Sequence, residues 1–390
     1  MSDLFAFLAS AEAFALRDEL RGTDAAADPL RLAAALRKRL APAQARALAE
    51  QILLEGRAGA KLPEAARLLF ERVPLEQATS PACAARHAAC VPAGAAVVDA
   101  GCGLGADSYA FARAGCRVIA LERDPFRAKL ARHNLGVLAG ESSRSLVARG
   151  EAARLPARGD ALFLDPDRRA SGRRQASLAT SSPSWSEIAA LLPRFARALV
   201  KAPPALADDE IPPECAVEFL SEGGECKEAL LRFGAGETPG RRAAVLAATG
   251  ETRVVEDGPP AGDAANGAFL LDPDPALRRA GGVDALAREL GAARVSPEST
   301  YLFADVDPRS TWARAYPVLH VFPYRPSDLA RRLASDPPRE ILVKQRGLRL
   351  PEADVRRGLP REVDGPIRVV VLFPRGRARV ACLCAPPDPR

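Results

Sequence analysis

Residues 97–125, VVDAGCGLGADSYAFARAGCRVIALERDP, decide the fold of this chain of 390 residues. Two apolar residues lead to Asp99, and a glycine-rich turn then leads into a segment with the apolar spacing of a helix. A second apolar run follows and ends at Glu122. A strand, a tight turn, a helix and another strand in this order are typical of a parallel βαβ unit. The stretch therefore predicts a ligand site where the carboxyl ends of neighbouring strands meet.

The glycines of the turn, Gly101, Gly103 and Gly105, have the spacing GxGxG. Glycine is expected there because a Cβ would collide with a ligand lying against the backbone. Dinucleotide-binding turns have the spacing GxGxxG, which brings a pyrophosphate to the helix N-terminus. Here the third glycine comes one residue earlier, and Asp99 would repel a pyrophosphate but suit a cationic ligand with an amino-acid tail. The turn therefore predicts S-adenosylmethionine as the cofactor.

Further acidic residues are candidates for cofactor contacts. Glu122 follows the turn by about 20 residues, where a carboxylate can accept hydrogen bonds from both ribose hydroxyls. Asp124 is close enough in sequence to share that role, and Glu151, after the third strand, is a candidate acceptor for the adenine amino group. The alternative for Asp99, Glu122 and Glu151 is that they are ordinary caps of strand ends.

From residue 95 onward, strand-like and helix-like segments alternate. This alternation predicts the α/β fold class with a Rossmann-like, mostly parallel, doubly wound sheet. The predicted strands of this sheet are 95–100, 117–122, 145–149, 160–164, 197–201, 215–220 and 225–233. The helices between them are predicted at 106–114, 125–139 and 185–196, and a further strand pair at 243–248 and 251–255. The strands 215–220 and 225–233 are expected to form an antiparallel hairpin that ends the sheet.

The flanking segments differ from this pattern. Upstream, apolar residues recur at helical spacing, with breaks at Asp28-Pro29 and Ala41-Pro42. Downstream, a linker rich in Gly, Pro and Asp precedes an α+β segment with strands at 316–322, 339–345, 366–373 and 377–384. The predicted domains are a helical accessory domain at 1–78, a Rossmann-like cofactor domain at 79–256, a linker at 257–268 and a small α+β domain at 269–390.

The fourth strand ends in LDPDRR, residues 164–169, at the crevice beside the cofactor. Methyltransferases that act on base amino groups carry Asp or Asn, two prolines and an aromatic residue here. The carboxylate and a proline carbonyl accept the amine hydrogens, so Asp165 is predicted as the orienting acceptor or base, with Pro166 beside it. Asp167 and Arg168 depart from the pattern, although a guanidinium can stack on a base or bind phosphate. The alternative is a capped turn rich in Asp and Pro.

Basic residues mark two candidate contact regions for a polyanion. Arg169 and Arg173 lie in a loop over the crevice and are predicted to contact phosphate. Lys344 and Arg346 end a strand of the C-terminal domain and are candidates for an RNA-contact patch. The alternative for each is a solvated surface residue.

Composition excludes several classes of protein. A net charge of +6 permits a polyanionic partner without requiring one. The eight cysteines form no CxxC pair, so no metal site is predicted, and the three histidines suggest no Ser-His-Asp arrangement. No run approaches the roughly 20 apolar residues that cross a bilayer, and the N-terminus does not resemble a signal peptide. We expect a cytoplasmic protein without a membrane partner; the sequence leaves its oligomeric state open.

Several stretches resemble bacterial class I methyltransferases that carry a THUMP-like C-terminal domain. They are LEQATSPACAARHAACVPAGAAVVDAGCGLGADSYAFARAG from residue 75, LDPDRR, FLLDPDPALRRAG, STYLF and ILVKQRGLRL. The motif core is also similar to RNA cap guanine-N2 methyltransferases. The resemblance covers roughly residues 75–390 and implies a seven-stranded class I sheet. It implies roles for Asp165, Pro166, Arg168 and Arg169, and it places Gln77 and Thr79 near the methionine end of the cofactor.

THUMP domains proper deliver tRNA to attached catalytic domains, so the resemblance implies an RNA-directed enzyme. The function predicted from the sequence is methylation of a base nitrogen in structured RNA, a tRNA or an rRNA. One alternative is methylation of a small molecule or a protein side chain. Another is an RNA-binding module that keeps the cofactor fold and catalyses nothing.

Overall fold

The computed structural model describes the chain except for residues 1, 60–61, 63, 141–143, 155–157, 168–176, 247–250, 256–257, 361–362 and 389–390. Two units are distinguished by their internal contacts. The first comprises Met1–Val217 and Glu228–Pro239, and the second Glu218–Lys227 and Gly240–Arg390. The division into four parts at residues 78, 256 and 268 stays a prediction.

The first unit begins with short helices. They are α1 Ser2–Leu8, α2 Ala11–Leu20, α3 Asp24–Ala27, α4 Pro29–Arg37, α5 Pro42–Ala58, α6 Arg72–Gln77 and α7 Pro81–Ala89. As predicted, the chain breaks before Pro29 and Pro42, each of which opens a helix where its missing N–H costs nothing. The carboxylate of Asp28 caps α4 by accepting hydrogen bonds from two backbone amides.

Alternating strands and helices follow. They are β1 Ala96–Ala100, α8 Ala106–Arg113, β2 Arg117–Glu122, α9 Pro125–Ala139, β3 Ser145–Arg149, β4 Ala161–Leu164, α10 Trp185–Leu191, β5 Arg197–Ala202, β6 Ala216–Glu222 and β7 Glu225–Gly234. These strands belong to a nine-stranded sheet, in which their order is β3-β2-β1-β4-β5-β7-β6. The first five strands of that order pair in parallel, and β7 runs antiparallel to β5. The predicted doubly wound sheet is confirmed.

The predicted helix at 185–196 is too long. The α-helix ends at Leu191, and a 3-10 turn at Leu192–Arg194 leads into β5. Pro193 lies in this turn and has no N–H to continue the α-helical hydrogen bonds. Because β1, β2, β4 and β5 are parallel, their carboxyl ends lie along one edge of the sheet, where the predicted site residues follow them.

Polar side chains hold the N-terminal helices against α9. The side chain of Asn134 in α9 pairs with the backbone of Leu69 and also donates to the carbonyl of Leu104, 3.3 Å away. The buried Arg17 guanidinium forms an ion pair with Glu55 at 2.9 Å. Leu104, between two glycines of the cofactor turn, packs in the same hydrophobic cluster as the helices. The helices therefore support the turn directly.

The second unit contains a second sheet. Its elements after β7 are β8 Gly240–Val245, β9 Glu251–Val254, β10 Phe269–Pro273, α11 Pro275–Ala280, α12 Val283–Glu289, β11 Ala293–Arg294, β12 Leu302–Ala304, β13 Ala313–Pro323, α13 Pro326–Ser335, β14 Glu340–Gln345, α14 Glu352–Arg356, β15 Ile367–Arg375 and β16 Ala378–Cys384. The second sheet, which does not include β8 and β9, has the strand order β11-β12-β10-β13-β16-β15-β14. The four strands predicted between 316 and 384 are present, and β8 begins three residues before the predicted 243. Within the described part of the chain, no helix has the length and apolar character to span a membrane.

Candidate functional site

The glycine turn joins β1 to α8 by backbone conformations that favour glycine. Gly101, Gly103 and Gly105 have φ angles of 108°, 55° and 89°, which other residues adopt only with strain. A Cβ added to Gly103 would have no protein atom within 4 Å, so open space lies beside this residue. A Cβ on Gly101 would lie 3.9 Å from the backbone oxygen of Asp165, so the end of β4 passes close to the turn.

Glu122 faces this turn from the end of β2. Its Oε2 accepts a hydrogen bond from the backbone amide of Gly103 at 3.2 Å, and its Oε1 accepts one from the amide of Asp124 at 2.9 Å. The side chain is buried. The carboxylate therefore lies at the turn, as the sequence predicted, and it also holds the turn in place.

Asp99 is buried at the end of β1 and accepts a hydrogen bond of 2.5 Å from the Ser108 hydroxyl. Burial, and to a lesser extent the nearby carboxylate of Asp107, raise the pKa of Asp99 to about 7. The carboxyl group therefore changes its charge near neutral pH.

The remaining cofactor candidates are Asp124, which precedes a helix, and the exposed Glu151 and Gln77. Asp124 caps α9 by accepting hydrogen bonds from the amides of Phe126 and Arg127, which lower its pKa. Glu151 is exposed and lies 3.7 Å from Arg154. Gln77 is exposed at the last residue of α6.

Thr79 lies in a buried polar cluster that the sequence did not reveal. Its hydroxyl donates to Oδ2 of Asp107 at 2.6 Å and accepts from Nζ of Lys201 at 2.8 Å. Lys201, the second-last residue of β5, also donates to Oδ2 of Asp165 at 2.6 Å. Glu228 on β7 lies 3.7 Å from the same ammonium group. These residues come from five separate segments of the chain.

His87 on α7 completes this cluster, which we call the buried charge cluster: Thr79, His87, Asp107, Asp165, Lys201 and Glu228. The ring of His87 lies with Nδ1 2.8 Å from Asp107 and with Nε2 in a short hydrogen bond to Glu228. Burial lowers the pKa of His87, but the two carboxylates outweigh it and raise the pKa to about 9. The imidazole is therefore a cation at neutral pH.

Asp165 occupies the position that the sequence predicted, directly after β4. Its side chain is about one-third exposed and Pro166 is buried. Asp167, in place of a second proline, forms a β-bridge with Ser182 through backbone hydrogen bonds of 2.9 Å in both directions. Proline could not donate the bond that the Asp167 amide makes. Three further candidates, Arg168, Arg169 and Arg173, lie outside the described residues.

In the second unit, Lys344 and Arg346 are engaged by an acid. Nζ of Lys344 lies 3.0 Å and the guanidinium of Arg346 3.5 Å from the carboxylate of Asp272 on β10. The two cations also lie over the rings of Tyr316 and Tyr301. Neither side chain is a free surface cation, because each is only about one-third exposed and shares the same counter-ion.

No group of three or more His, Cys, Asp or Glu side chains among the described residues is arranged to hold a metal ion.

Known proteins resemble this chain at several levels. The family model described as THUMP domain-like matches residues 313–386. Proteins of two Mycobacterium tuberculosis strains, both named uncharacterised S-adenosylmethionine-dependent methyltransferase, are 31% identical over 339 residues, which cover 83% of this chain and 91% of each relative. Among solved structures, a candidate methyltransferase from Porphyromonas gingivalis W83 has a TM-score of 0.80 at 21% identity, covering 99% of this chain and 98% of that one.

The solved structure confirms the fold class, and the mycobacterial relatives identify the family. The THUMP-like resemblance of the C-terminal segment is confirmed by the family model. The chain belongs to the S-adenosylmethionine-dependent methyltransferases.

Proposed function

We propose that this methyltransferase acts on a base nitrogen in structured RNA, a tRNA or an rRNA. The observation that carries the proposal is the position of Asp165. Asp165 directly follows β4, its backbone passes close to the glycine turn, and its carboxylate remains partly exposed. A carboxylate in this position can accept a hydrogen bond from an amino group, which is the group that a base nitrogen offers.

The residues around the turn fit the cofactor. The open space beside Gly103 admits a ligand, and the carboxylates of Asp99 and Glu122 suit its cationic end and its ribose hydroxyls. S-adenosylmethionine, when bound, supplies a methyl group on a positively charged sulfur. The cofactor contacts that we propose are Asp99, Gly101, Gly103, Gly105 and Glu122, with Thr79 at the methionine end. Asp124, Glu151 and Gln77 are proposed as outer contacts, because Asp124 caps a helix and the other two are exposed.

Asp165 is proposed to orient the substrate nitrogen. Its Oδ2 is held by Lys201, and its Oδ1 is proposed to accept the N–H of the substrate while Pro166 shapes the crevice. Held in this way, the nitrogen lone pair would face the methyl group of bound S-adenosylmethionine; transfer would leave S-adenosylhomocysteine, and the nitrogen proton would pass to solvent. Alignment of this kind supplies much of the acceleration in a group transfer.

RNA contacts are proposed on both units. Arg168, Arg169 and Arg173 belong to the sequence after Asp165 and are proposed to contact the base or its phosphates. In the second unit, Lys344 and Arg346 remain candidates, but their ion pairs with Asp272 reduce the charge that they offer.

Another group of arginines in the second unit suits phosphate better than Lys344 and Arg346 do. Four exposed arginines, which we call the arginine end, form no ion pair within the described residues: Arg325, Arg349, Arg377 and Arg379. Strand pairing brings three of their segments together. Arg379 pairs with Pro374 across β15 and β16 and accepts a backbone hydrogen bond from Tyr324, while Gly347 packs against Pro374. Unpaired arginines on one end of a sheet suit a phosphate backbone.

Radiolabelled methyl transfer tests this function. The purified protein is incubated with methyl-labelled S-adenosylmethionine and with RNA, protein or metabolites extracted from cells that lack it. We expect label in one RNA size class and a much slower incorporation of that label by Asp165→Asn, which keeps the shape of the side chain. Label only in protein or metabolites would favour the other substrates, and cofactor binding without any transfer would favour a noncatalytic RNA-binding module.

A further inference from the structure

Lys201 lies at the centre of the buried charge cluster and cannot itself reach a substrate. Its side chain is only 7% exposed. Its ammonium group donates to Asp165 at 2.6 Å and to Thr79 at 2.8 Å, and it lies 3.7 Å from Glu228. All of these partners belong to the first unit. A buried lysine of this kind acts through its neighbours.

We propose that Lys201 is a positioning residue for methyl transfer, because it fixes Oδ2 of Asp165 and leaves Oδ1 to hold the substrate nitrogen. The proposal rests on the function proposed above for Asp165. The remaining members of the cluster hold Lys201: Thr79 accepts one hydrogen bond, Glu228 lies close by, and Asp107 fixes the Thr79 hydroxyl at 2.6 Å.

Geometry explains why one fixed oxygen matters. A free carboxylate rotates between two equivalent oxygens, and neither then has a defined direction toward the substrate. A charge-assisted hydrogen bond of 2.6 Å is short and strong, and it removes that freedom at Asp165. Two further contacts prevent Lys201 from following the carboxylate into the crevice. The orientation of Asp165 is therefore set by residues that lie behind it.

The charges around Lys201 also support a positioning role. Three carboxylates face Lys201, namely Asp165 from the end of β4, Asp107 from α8 and Glu228 from β7. The cation of His87 contacts two of these carboxylates, Asp107 and Glu228. Burial opposes the charged form of Lys201, but these carboxylates outweigh it and raise the pKa of the ammonium group. Asp99 also faces the cluster, and Lys201 partly offsets the rise in the pKa of that carboxyl. Removal of Lys201 would leave His87 alone against three carboxylates, which would repel Asp165 from its place.

Rates of methyl transfer to the RNA extract described above test the positioning role. We expect Lys201→Met to lower kcat about a hundredfold, the loss typical of a misplaced reacting group. The loss of kcat, measured at saturating S-adenosylmethionine, should exceed the change in its Kd, since Lys201 holds Asp165 directly and affects the proposed cofactor contacts only through Thr79 and the pKa of Asp99. Lys201→Arg, which can still donate to Asp165 and Thr79, should recover most of the rate.

A double variant separates positioning from a general structural effect. If Lys201 acts through Asp165, adding Lys201→Met to Asp165→Asn should slow transfer no further. Losses that multiply in the double variant would overturn the proposal. Arg294→Met is the control, because it removes a largely buried cation and its ion pair with Asp284 in the second unit, away from the cluster. It should lower the Tm and leave kcat unchanged.

Thermal unfolding provides a test that needs no substrate. Residues that act as a pair show non-additive changes in stability when both are replaced. We expect the Tm loss of the Lys201→Met, Asp165→Asn double variant to be smaller than the sum of the two single losses. Additive losses would overturn the proposal even if RNA proves not to be the substrate. A coupled pair without methyl transfer to RNA would instead contradict only the proposed function.

Discussion

The fold raises the pKa of the Asp99 carboxyl group to near neutral pH. Burial is the main cause, and it raises the pKa to about 7 from a usual value near 4. A buried carboxyl beside the glycine turn can therefore respond to the charge of whatever binds there. The same residue would be fully ionised at neutral pH if it were an exposed strand-end cap.

This charge predicts a pH dependence of cofactor affinity. S-adenosylmethionine is cationic at sulfur and favours ionised Asp99, so its Kd should fall by about tenfold between pH 6 and 8 as the group titrates. Isothermal calorimetry at both pH values measures it. S-adenosylhomocysteine has the same amino-acid tail without the sulfonium charge and should show a weaker trend. An equal trend in Asp99→Asn would show that another group is responsible.

His87 predicts a pH dependence of stability. Its pKa is raised from about 6.5 to about 9 in the folded protein, so its contribution is complete below pH 6.5 and is lost as pH rises through 9. The loss is on the order of 3 kcal/mol, or roughly 5–10 °C in Tm. Scanning calorimetry between pH 6.5 and 9.5 measures it. His87→Gln should have a lower Tm at pH 6.5 and a flatter profile, whereas an unchanged profile would contradict the assignment.

Individual site residues differed in how far the sequence could predict them. Asp99, Glu122 and Asp165 each lie at or directly after the end of a strand, so local order was enough to locate them. The partners of Lys201 and His87 were missed because their contacts connect distant segments: 122 residues separate Lys201 from Thr79, and 141 separate His87 from Glu228. One signal was present in the sequence, namely a lysine at the end of the apolar run 197–201.

At the scale of elements, the strands around the glycine turn followed the sequence within a few residues, because a buried parallel strand is a short apolar run bounded by turns. The elements β10, β11, β12, α11 and α12 were not predicted individually. They are short, and β10 includes a proline while β11 has only two residues. The places of β10, β11 and β12 in the sheet depend on pairing with β13 and with each other. The periodicity of apolar residues does not encode such pairing.

A methyl group added to the glycine turn at Gly103 should affect both stability and cofactor binding. Gly103→Ala should cost about 1 kcal/mol of stability, because its φ of 55° is unfavourable for alanine. It should weaken cofactor binding far more, since the added Cβ enters the open space proposed for the ligand. Calorimetric titration and thermal unfolding measure the two effects separately.

Gly94 offers a matched control for that variant. It has a φ of 83°, no protein atom within 4 Å of an added Cβ, and a position in the loop before β1. Gly94→Ala should show a similar loss of stability with an unchanged Kd. Equal effects of both variants on the Kd would contradict a cofactor site beside Gly103.

At the scale of the whole molecule, the THUMP-like match at residues 313–386 lies within the second unit, which contains a second sheet with its own core. The sequence anticipated the THUMP-like segment through stretches spread over the chain. It did not anticipate that Asp272 would engage Lys344 and Arg346, because 72 residues separate Asp272 from Lys344 and their strands are not neighbours in the sheet. The sequence alone therefore overstated the free positive charge of Lys344 and Arg346.

The arginine end predicts how the second unit contributes to RNA binding. Replacing Arg377 and Arg379 with Glu should weaken binding to the RNA extract and make it less sensitive to salt, by roughly one unit of log–log slope for each phosphate that the protein no longer neutralises. Filter binding across a series of salt concentrations measures both effects. The Kd for S-adenosylmethionine should not change.

The same charge change elsewhere provides the control for that experiment. Arg37 and Arg46 are exposed on the N-terminal helices, and replacing both with Glu alters the net charge equally. We expect a smaller effect on RNA binding and on its salt dependence. Equal effects of the two double variants would mean that binding reflects overall charge and not the arginine end.

Leu104 has a consequence for how the enzyme would fail on heating. It belongs to the glycine turn, yet it packs in the hydrophobic cluster of the N-terminal helices, and its carbonyl accepts a hydrogen bond from Asn134. Loosening of those helices therefore removes a support of the turn while the central strands are still paired. Affinity for the cofactor should decline at temperatures below the main unfolding transition. Bound cofactor should in turn protect the helices from proteolysis, so that a ligand at one edge of the sheet shields segments far from it in sequence.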